Sequence, residues 1–155
     1  MHPKTFILFI LILLGCQEEP TSILTKKKDP PISIPEIQAC HLTTVWDSTA
    51  IRNKLLGKWQ WEYIRCFWEP EKGNYDDYKG MSVEFKSDNT VEVLQNGMSA
   101  QRSTWQLVLL NDGNYKITTT PLVFQLPGRI LFCSQRVVFM DSYVDGCDNY
   151  FVRSN

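Results

Sequence analysis

The sequence predicts an all-β fold, an eight-stranded antiparallel up-and-down β-barrel preceded by a short N-terminal helix. Three observations predict it. From Trp59 onward the apolar period is 2 rather than 3.6, turn residues recur at short intervals, and a single short helical pattern precedes the first strand. A meander of short strands leaves two open edges unless its last strand returns beside its first, and Asn149-Tyr150-Phe151-Val152-Arg153 has the composition for that return. An open sandwich is the competing architecture.

Of the 155 residues, 1–15 are expected to be absent from the mature protein. Lys4 precedes an unbroken apolar run over 6–14, far short of the about 20 residues a spanning helix needs, so the run reads as a signal peptide. It ends in Leu13-Leu14-Gly15-Cys16, which resembles the bacterial lipobox. The resemblance implies that Cys16 is acylated, palmitate included, and becomes the first mature residue. Acyl chains there would hold the protein to a membrane without a spanning helix, each buried CH₂ contributing about 0.8 kcal/mol. Glu18 and Glu19 resemble the acidic tag of surface-exposed lipoproteins of the Bacteroidetes type, and Gln17 is not the aspartate that retains lipoproteins at the inner membrane in enterobacteria. The expected location is therefore the outer membrane, on its periplasmic or cell-surface face.

Residues 16–40 read as a lipid-anchored flexible tether. Pro20, Pro30, Pro31 and Pro35, the triplet Lys26-Lys27-Lys28 and the lack of an apolar period leave too little burial to offset the entropy of ordering. The lysines either sit in a solvated linker or touch anionic head groups. Residues 41–155 then form the barrel domain. Asp47 offers an N-cap, Trp46, Ala50, Ile51 and Leu55 fall near one helix face, and Gly57 ends the pattern. After it Trp59, Trp61 and Tyr63 point one way, and Lys58, Gln60 and Glu62 the other, as far as about Trp68.

Residues 69–79, with Pro70, Gly73 and Asn74, form a polar loop. Residues 81–86 and 90–93 make a hairpin around Ser87-Asp88-Asn89, and Asn96-Gly97 marks the next turn. A strand over 105–109 passes through Asn111-Asp112-Gly113-Asn114 into Tyr115-Lys116-Ile117-Thr118. Residues 122–126 lead past Pro127-Gly128 into a strand at 129–133, another follows at 135–140, and Asp145-Gly146 turns into the last.

With Cys16 assigned to lipid, four cysteines remain in an exported chain, which implies two disulfides among Cys40, Cys66, Cys133 and Cys147. In a closed meander the far end of the first strand lies beside the start of the last, which joins Cys66 to Cys147 and leaves Cys40 for Cys133. An open sheet would instead join Cys133 to Cys147 and Cys40 to Cys66. No cysteine stands in a CxxC spacing, and the mature chain has one histidine, His41, so neither a metal nor a cofactor is expected. Residues 1–15 hold one of the 16 basic residues and none of the 17 acidic ones, so the mature net charge is about −2, without the basic stripe that nucleic acid requires.

The short helix leading into Gly57-Lys58-Trp59, the meander, and Arg153 at the end of the last strand together resemble the lipocalin, or wider calycin, pattern. The resemblance implies that Trp59 closes the barrel floor beside Gly57, with Arg153 over its indole ring in a cation–π contact worth about 0.5–2 kcal/mol. More narrowly, Leu56-Gly57-Lys58-Trp59 and Asp145-Gly146-Cys147-Asp148-Asn149-Tyr150 resemble the lipocalin-like lipoproteins of Bacteroidetes, over roughly residues 50–155.

Catalytic candidates are few. His41 is expected to be exposed at the tether boundary, Asp76-Asp77 lie in a loop, and Asp141, Asp145 and Asp148 flank turns where aspartate serves the backbone, so no enzyme is expected. Trp61, Tyr63, Phe85, Trp105, Tyr115 and Phe132, with Ile117 and Phe139, are expected to face inward, where they either contact a small hydrophobic ligand or fill the barrel. So much aromatic volume leaves room for a cavity only near the open end. Arg102, Arg129 and Arg136 either anchor an anion inside or sit solvated at strand ends. Two functions follow: a membrane-anchored binder of a small apolar molecule, or a non-enzymatic interaction subunit of an outer-membrane or surface complex with a fully packed barrel.

Overall fold

The computed structural model describes residues 29–68 and 78–154. The expected signal segment, Cys16, most of the expected tether and residues 69–77 of the polar loop lie outside the described residues. Eight strands follow in chain order: β1 (Gly57–Cys66), β2 (Met81–Phe85), β3 (Thr90–Gln95), β4 (Met98–Leu109), β5 (Tyr115–Thr120), β6 (Arg129–Cys133), β7 (Arg136–Met140) and β8 (Cys147–Arg153). Each pairs antiparallel with the next, and β8 pairs with β1, closing the barrel. The seam runs from Trp59 opposite Arg153 to Cys66 opposite Cys147. Closure leaves no sheet edge, so the backbone donors and acceptors of the end strands find partners. The open sandwich is excluded.

Every connection reverses the chain. The β1–β2, β3–β4, β5–β6 and β7–β8 connections therefore gather at the end opposite Trp59, called here the mouth, and Trp59 marks the floor. Among the described residues two helices precede the barrel, α1 (Ile34–His41) and α2 (Ser48–Leu55). The second is the helix that Asp47 and the Ile51/Leu55 face predict, with the Asp47 carboxylate accepting the Ala50 N–H at 2.7 Å. The first corrects the tether reading of residues 16–40 over its last part. Ser33 and Glu36 form a capping box with Pro35 in the first turn, and Ile37 is fully buried. Three prolines nearby masked this short helix in the sequence.

Helix α1 lies on the outside of the wall, where Ile37 packs with Tyr63, Leu131, Val138, Met140 and Tyr150. That cover explains why Ile130-Leu131-Phe132 and Val137-Val138-Phe139-Met140 are continuous apolar runs rather than alternating ones, since both faces of β6 and β7 are buried. Tyr63 reaches this outer layer because β1 carries a bulge: Trp61 stands opposite Phe151 and Tyr63 opposite Tyr150, leaving Glu62 as the extra residue. The strict alternation expected of Trp59, Trp61 and Tyr63 breaks there, and Ile64 and Cys66 take over the inward positions.

Strand β4 begins at Met98, earlier than the apolar signal at 105–109 predicts. Its first half, Met98 and Ala100 apart, is polar and pairs with β3, while its second half pairs with β5. Strands β5 and β6 meet at one position, Lys116 opposite Arg129, and the segment 121–128 seats Val123 and Leu126 in the core beside that splay. Gly128 makes this possible: its φ is +101°, and a side chain there would strike the Met140 carbonyl.

Candidate functional site

The floor is built by α2 and the two ends of the seam. The Trp59 indole N–H donates to the Leu55 carbonyl at 2.7 Å, and the Arg153 guanidinium lies 4.4 Å from the Trp59 ring centre. Arg153 also donates to the carbonyls of Leu56 and, at 3.0 Å, Lys54, which the end of a helix otherwise leaves without partners. Gly57 has a φ of +103°, and a Cβ there would stand 2.9 Å from Arg153 Nη1, so the corner requires glycine. These are the roles that the resemblance assigns to Gly57, Trp59 and Arg153. Sequence reasoning missed a second cation–π contact, Arg52 of α2 4.7 Å from the Trp105 ring centre.

Above this layer Phe85 meets Trp105 edge-on at 5.3 Å, and Phe139 meets Phe151 edge-on at 5.6 Å. Phe132 packs between Trp46 and Trp59, at 4.9 and 6.4 Å. Of the residues expected to contact a ligand, Phe85, Trp105 and Phe132 are thus floor packing. Tyr115 is half-buried against the same core, and Tyr63 lies outside the barrel. Trp61 alone among the six reaches toward the mouth, where its ring is 5.4 Å from Tyr78.

His41 is buried, contrary to its expected exposure. Its Nδ1 accepts the Phe132 N–H at 3.1 Å and its ring stacks on Trp46 at 5.2 Å; burial holds its pKa below the usual histidine range. A lone pair used in this way makes it a strut. The neighbouring Cys40 is bridged to Cys133, and Cys66 to Cys147, the connectivity that closure predicts. The arginines stand on the outer wall: Arg136 chelates Glu62 at 3.0 and 3.2 Å, Arg129 pairs with Asp112 and covers the Tyr143 ring at 4.1 Å, and Arg102 faces Glu92. None lines the interior.

Toward the mouth the interior turns polar. Asn149 follows Phe151 and Arg153 on the inward side of β8, is buried, and accepts the Trp61 indole N–H at 3.4 Å. On β4, Gln101 donates to the Ser103 hydroxyl at 3.1 Å and to the Leu122 carbonyl at 2.9 Å. A cleft of about 270 Å³ opens here among Ile64, Trp68, Tyr78, Phe124, Cys147 and Asn149. A second, of about 450 Å³, lies at the β5–β6 splay among Ile117, Leu122, Val123, Leu126, Tyr143 and Val144. Both are bordered by Pro127 and Asp141. Sequence reasoning missed Asn149, although a polar residue at an inward position between Cys147 and Phe151 is a readable signal.

The carboxylates nearby serve structure. Asp148 is buried and accepts the backbone N–H groups of Asp141 and Ser142, at 3.0 and 2.9 Å, which ties down the 3-10 turn Ser142–Val144. Burial raises its pKa and those hydrogen bonds oppose the rise; burial and the Asp148 charge raise that of Asp141. Among the described residues no three histidine, cysteine or carboxylate side chains are grouped to hold a metal, and no helix is long and apolar enough to cross a membrane.

No protein-family model and no curated protein matches this sequence. Among solved structures, the chain is similar to the crystal structure of a DUF4847 family protein from Bacteroides vulgatus, at 15% sequence identity and a TM-score of 0.43, over 64% of this chain and 94% of that one.

Proposed function

We propose that this chain is a lipocalin-like lipoprotein, held to the outer membrane by lipid on Cys16, that binds a small apolar molecule at the mouth of its barrel. The observation that carries the reading is the contrast along the barrel axis: aromatic rings fill the floor, whereas the mouth keeps an open cleft where Ile64, Trp68, Tyr78 and Phe124 stand with Gln125, Asp141 and one buried amide, Asn149. Ligand sites are typically apolar clefts with a few fixed polar groups, and about 300 Å³ is their lower range. The ligand class is therefore small and mainly hydrophobic, with polar groups to meet Gln125 and Asp141. A non-enzymatic role is supported by the engagement of His41 with the Phe132 N–H and of Asp148 with the turn that it caps.

The filled floor also favours the other expected role, an interaction subunit that carries no ligand. Titration of the mature lipoprotein with N-phenyl-1-naphthylamine separates the two. Saturable fluorescence enhancement, weakened about tenfold by Phe124→Asp, supports the binder, since a factor of ten corresponds to roughly 1.4 kcal/mol of lost apolar contact. No enhancement, with stable co-purification of a membrane protein, supports the subunit.

A further inference from the structure

Ten large apolar side chains stand exposed among the described residues, and their placement is uneven. Phe67, Trp68, Leu122, Phe124, Tyr143 and Val144 belong to three of the four connections at the mouth, and Met98 opens β4 directly after the fourth. The remaining three, Leu42, Val45 and Leu109, are aliphatic and lie elsewhere. Hydrogen bonds fix the mouth segments to one another: the Phe67 N–H donates to the Gly146 carbonyl at 3.2 Å, the Asn96 N–H to the Gly80 carbonyl at 3.0 Å, and Gln101 to the Leu122 carbonyl. The rim is thus an ordered ring of apolar tips, with Phe124 75% exposed and Trp68 61%. Trp68 and Phe124 share one cleft, and Leu122, Tyr143 and Val144 the other; apolar surface gathered at one end in this way marks a contact.

The entry of the chain names the partner. Ile34, the first residue of α1, lines a cleft with Arg65, Cys66, Phe67 and Ser142, so the N-terminal segment joins the domain at the mouth and α1 then runs back toward the floor, ending at His41 beside Phe132. Cys16 lies 13 positions before Asp29, a reach of about 45 Å at full extension. The triplet Lys26-Lys27-Lys28 directly precedes Asp29, the first described residue, in the sequence.

We propose that the mouth faces the bilayer and that its rim, led by Phe67, Trp68 and Phe124, seats in the membrane interface, while the lysine triplet meets anionic head groups. This rests on the lipid-anchor reading of Cys16. Tryptophan and tyrosine favour the head-group level, where one edge is apolar and the other wet, and each lysine near an anionic surface contributes about 1 kcal/mol. An exposed carboxylate on the rim, Asp145, keeps the seating shallow. In this orientation the cleft opens onto lipid, so its ligand enters from the membrane phase.

The test uses the mature lipoprotein reconstituted into phosphatidylcholine vesicles containing phosphatidylglycerol, with the acyl chains of the phosphatidylcholine dibrominated or unmodified. Bromine quenches only nearby indoles. Trp68 is one of five tryptophans, and the expected result is loss of about a fifth of the emission in brominated vesicles, abolished in Trp68→Phe. Phe67→Ser with Phe124→Ser is expected to reduce the quenching while the protein still floats with the vesicles. A chain that floats with its emission unchanged overturns the orientation alone, as does a dimer cross-linked through the rim. A chain that stays out of the floating fraction, with an unmodified Cys16 by mass spectrometry, overturns the anchor and this orientation with it.

Discussion

At the floor of the barrel Trp59, Phe85 and Phe132 are buried against one another, and the polar edge of Trp59 is answered by Leu55. At the mouth Phe67, Trp68, Phe124 and Tyr143 are exposed, and Trp68 and Phe124 border a cleft that a buried amide, Asn149, also lines. One residue class therefore does two jobs, and position along the axis decides which. Buried rings interdigitate and contribute stability, whereas exposed rings cost little to replace and serve contact with something outside the chain. Each end also has one disulfide, Cys40–Cys133 at the end of β6 and Cys66–Cys147 at the seam by the mouth.

The largest expected effects come from those bridges. They span sequence separations of 93 and 81 residues, so the chain-entropy model assigns each a similar contribution of about 4–5 kcal/mol. Replacing either pair by serine should lower the urea midpoint by that order. A clearly smaller loss for Cys66→Ser with Cys147→Ser than for the other pair would locate the excess rigidity at the floor.

Next, Trp59→Ala should cost about 3–5 kcal/mol, the range for emptying a buried aromatic site. Arg153→Ala should cost about 1–3 kcal/mol, because two carbonyls lose their donors as the ring is uncovered. Neither is expected to change binding of N-phenyl-1-naphthylamine by the protein that remains folded, and an altered affinity in Arg153→Ala would break the division between the two ends.

A pH titration sharpens the floor further. Burial lowers the His41 pKa below its ordinary 6.5, so the unfolded chain binds the proton more readily than the folded one and stability rises with pH. The His41 contribution is full above that ordinary value and falls as the pH drops through it toward the folded pKa. The melting temperature should therefore decrease between pH 7.5 and pH 5, and His41→Asn, which keeps an acceptor for the Phe132 N–H without titrating, should flatten the decrease. The smallest stability effect is expected at the mouth: Phe124→Ser should stay within about 0.5 kcal/mol of the parent while lowering ligand affinity.

The floor was largely legible in the sequence and the mouth was not. Gly57-Lys58-Trp59 combines a conformational requirement, a period change and an aromatic residue within three positions, so with the helical pattern before it the corner is readable here. Strand order and both disulfides then follow from closure. The bulge at Glu62 leaves no trace in the residue pattern, because Trp61 and Tyr63 suit either face, so alternation alone puts Tyr63 inside the wall when it lies outside. The polar half of β4 is held by pairing with β3 rather than by an apolar face, which hides it from periodicity. Asn149 was readable as polar at an inward position, but Tyr78 and Trp68 meet Phe124 only because two separate connections share one end.

The central claim, that the floor is structural and the mouth is the site, is tested most directly by mapping amide shifts of the isotopically labelled mature protein during titration with N-phenyl-1-naphthylamine. The account predicts saturable shifts centred on Trp61, Phe124 and Asn149, with Trp59, Phe132 and Arg153 unmoved. Shifts centred on Trp59 and Phe132, or none at a saturating concentration, would contradict it.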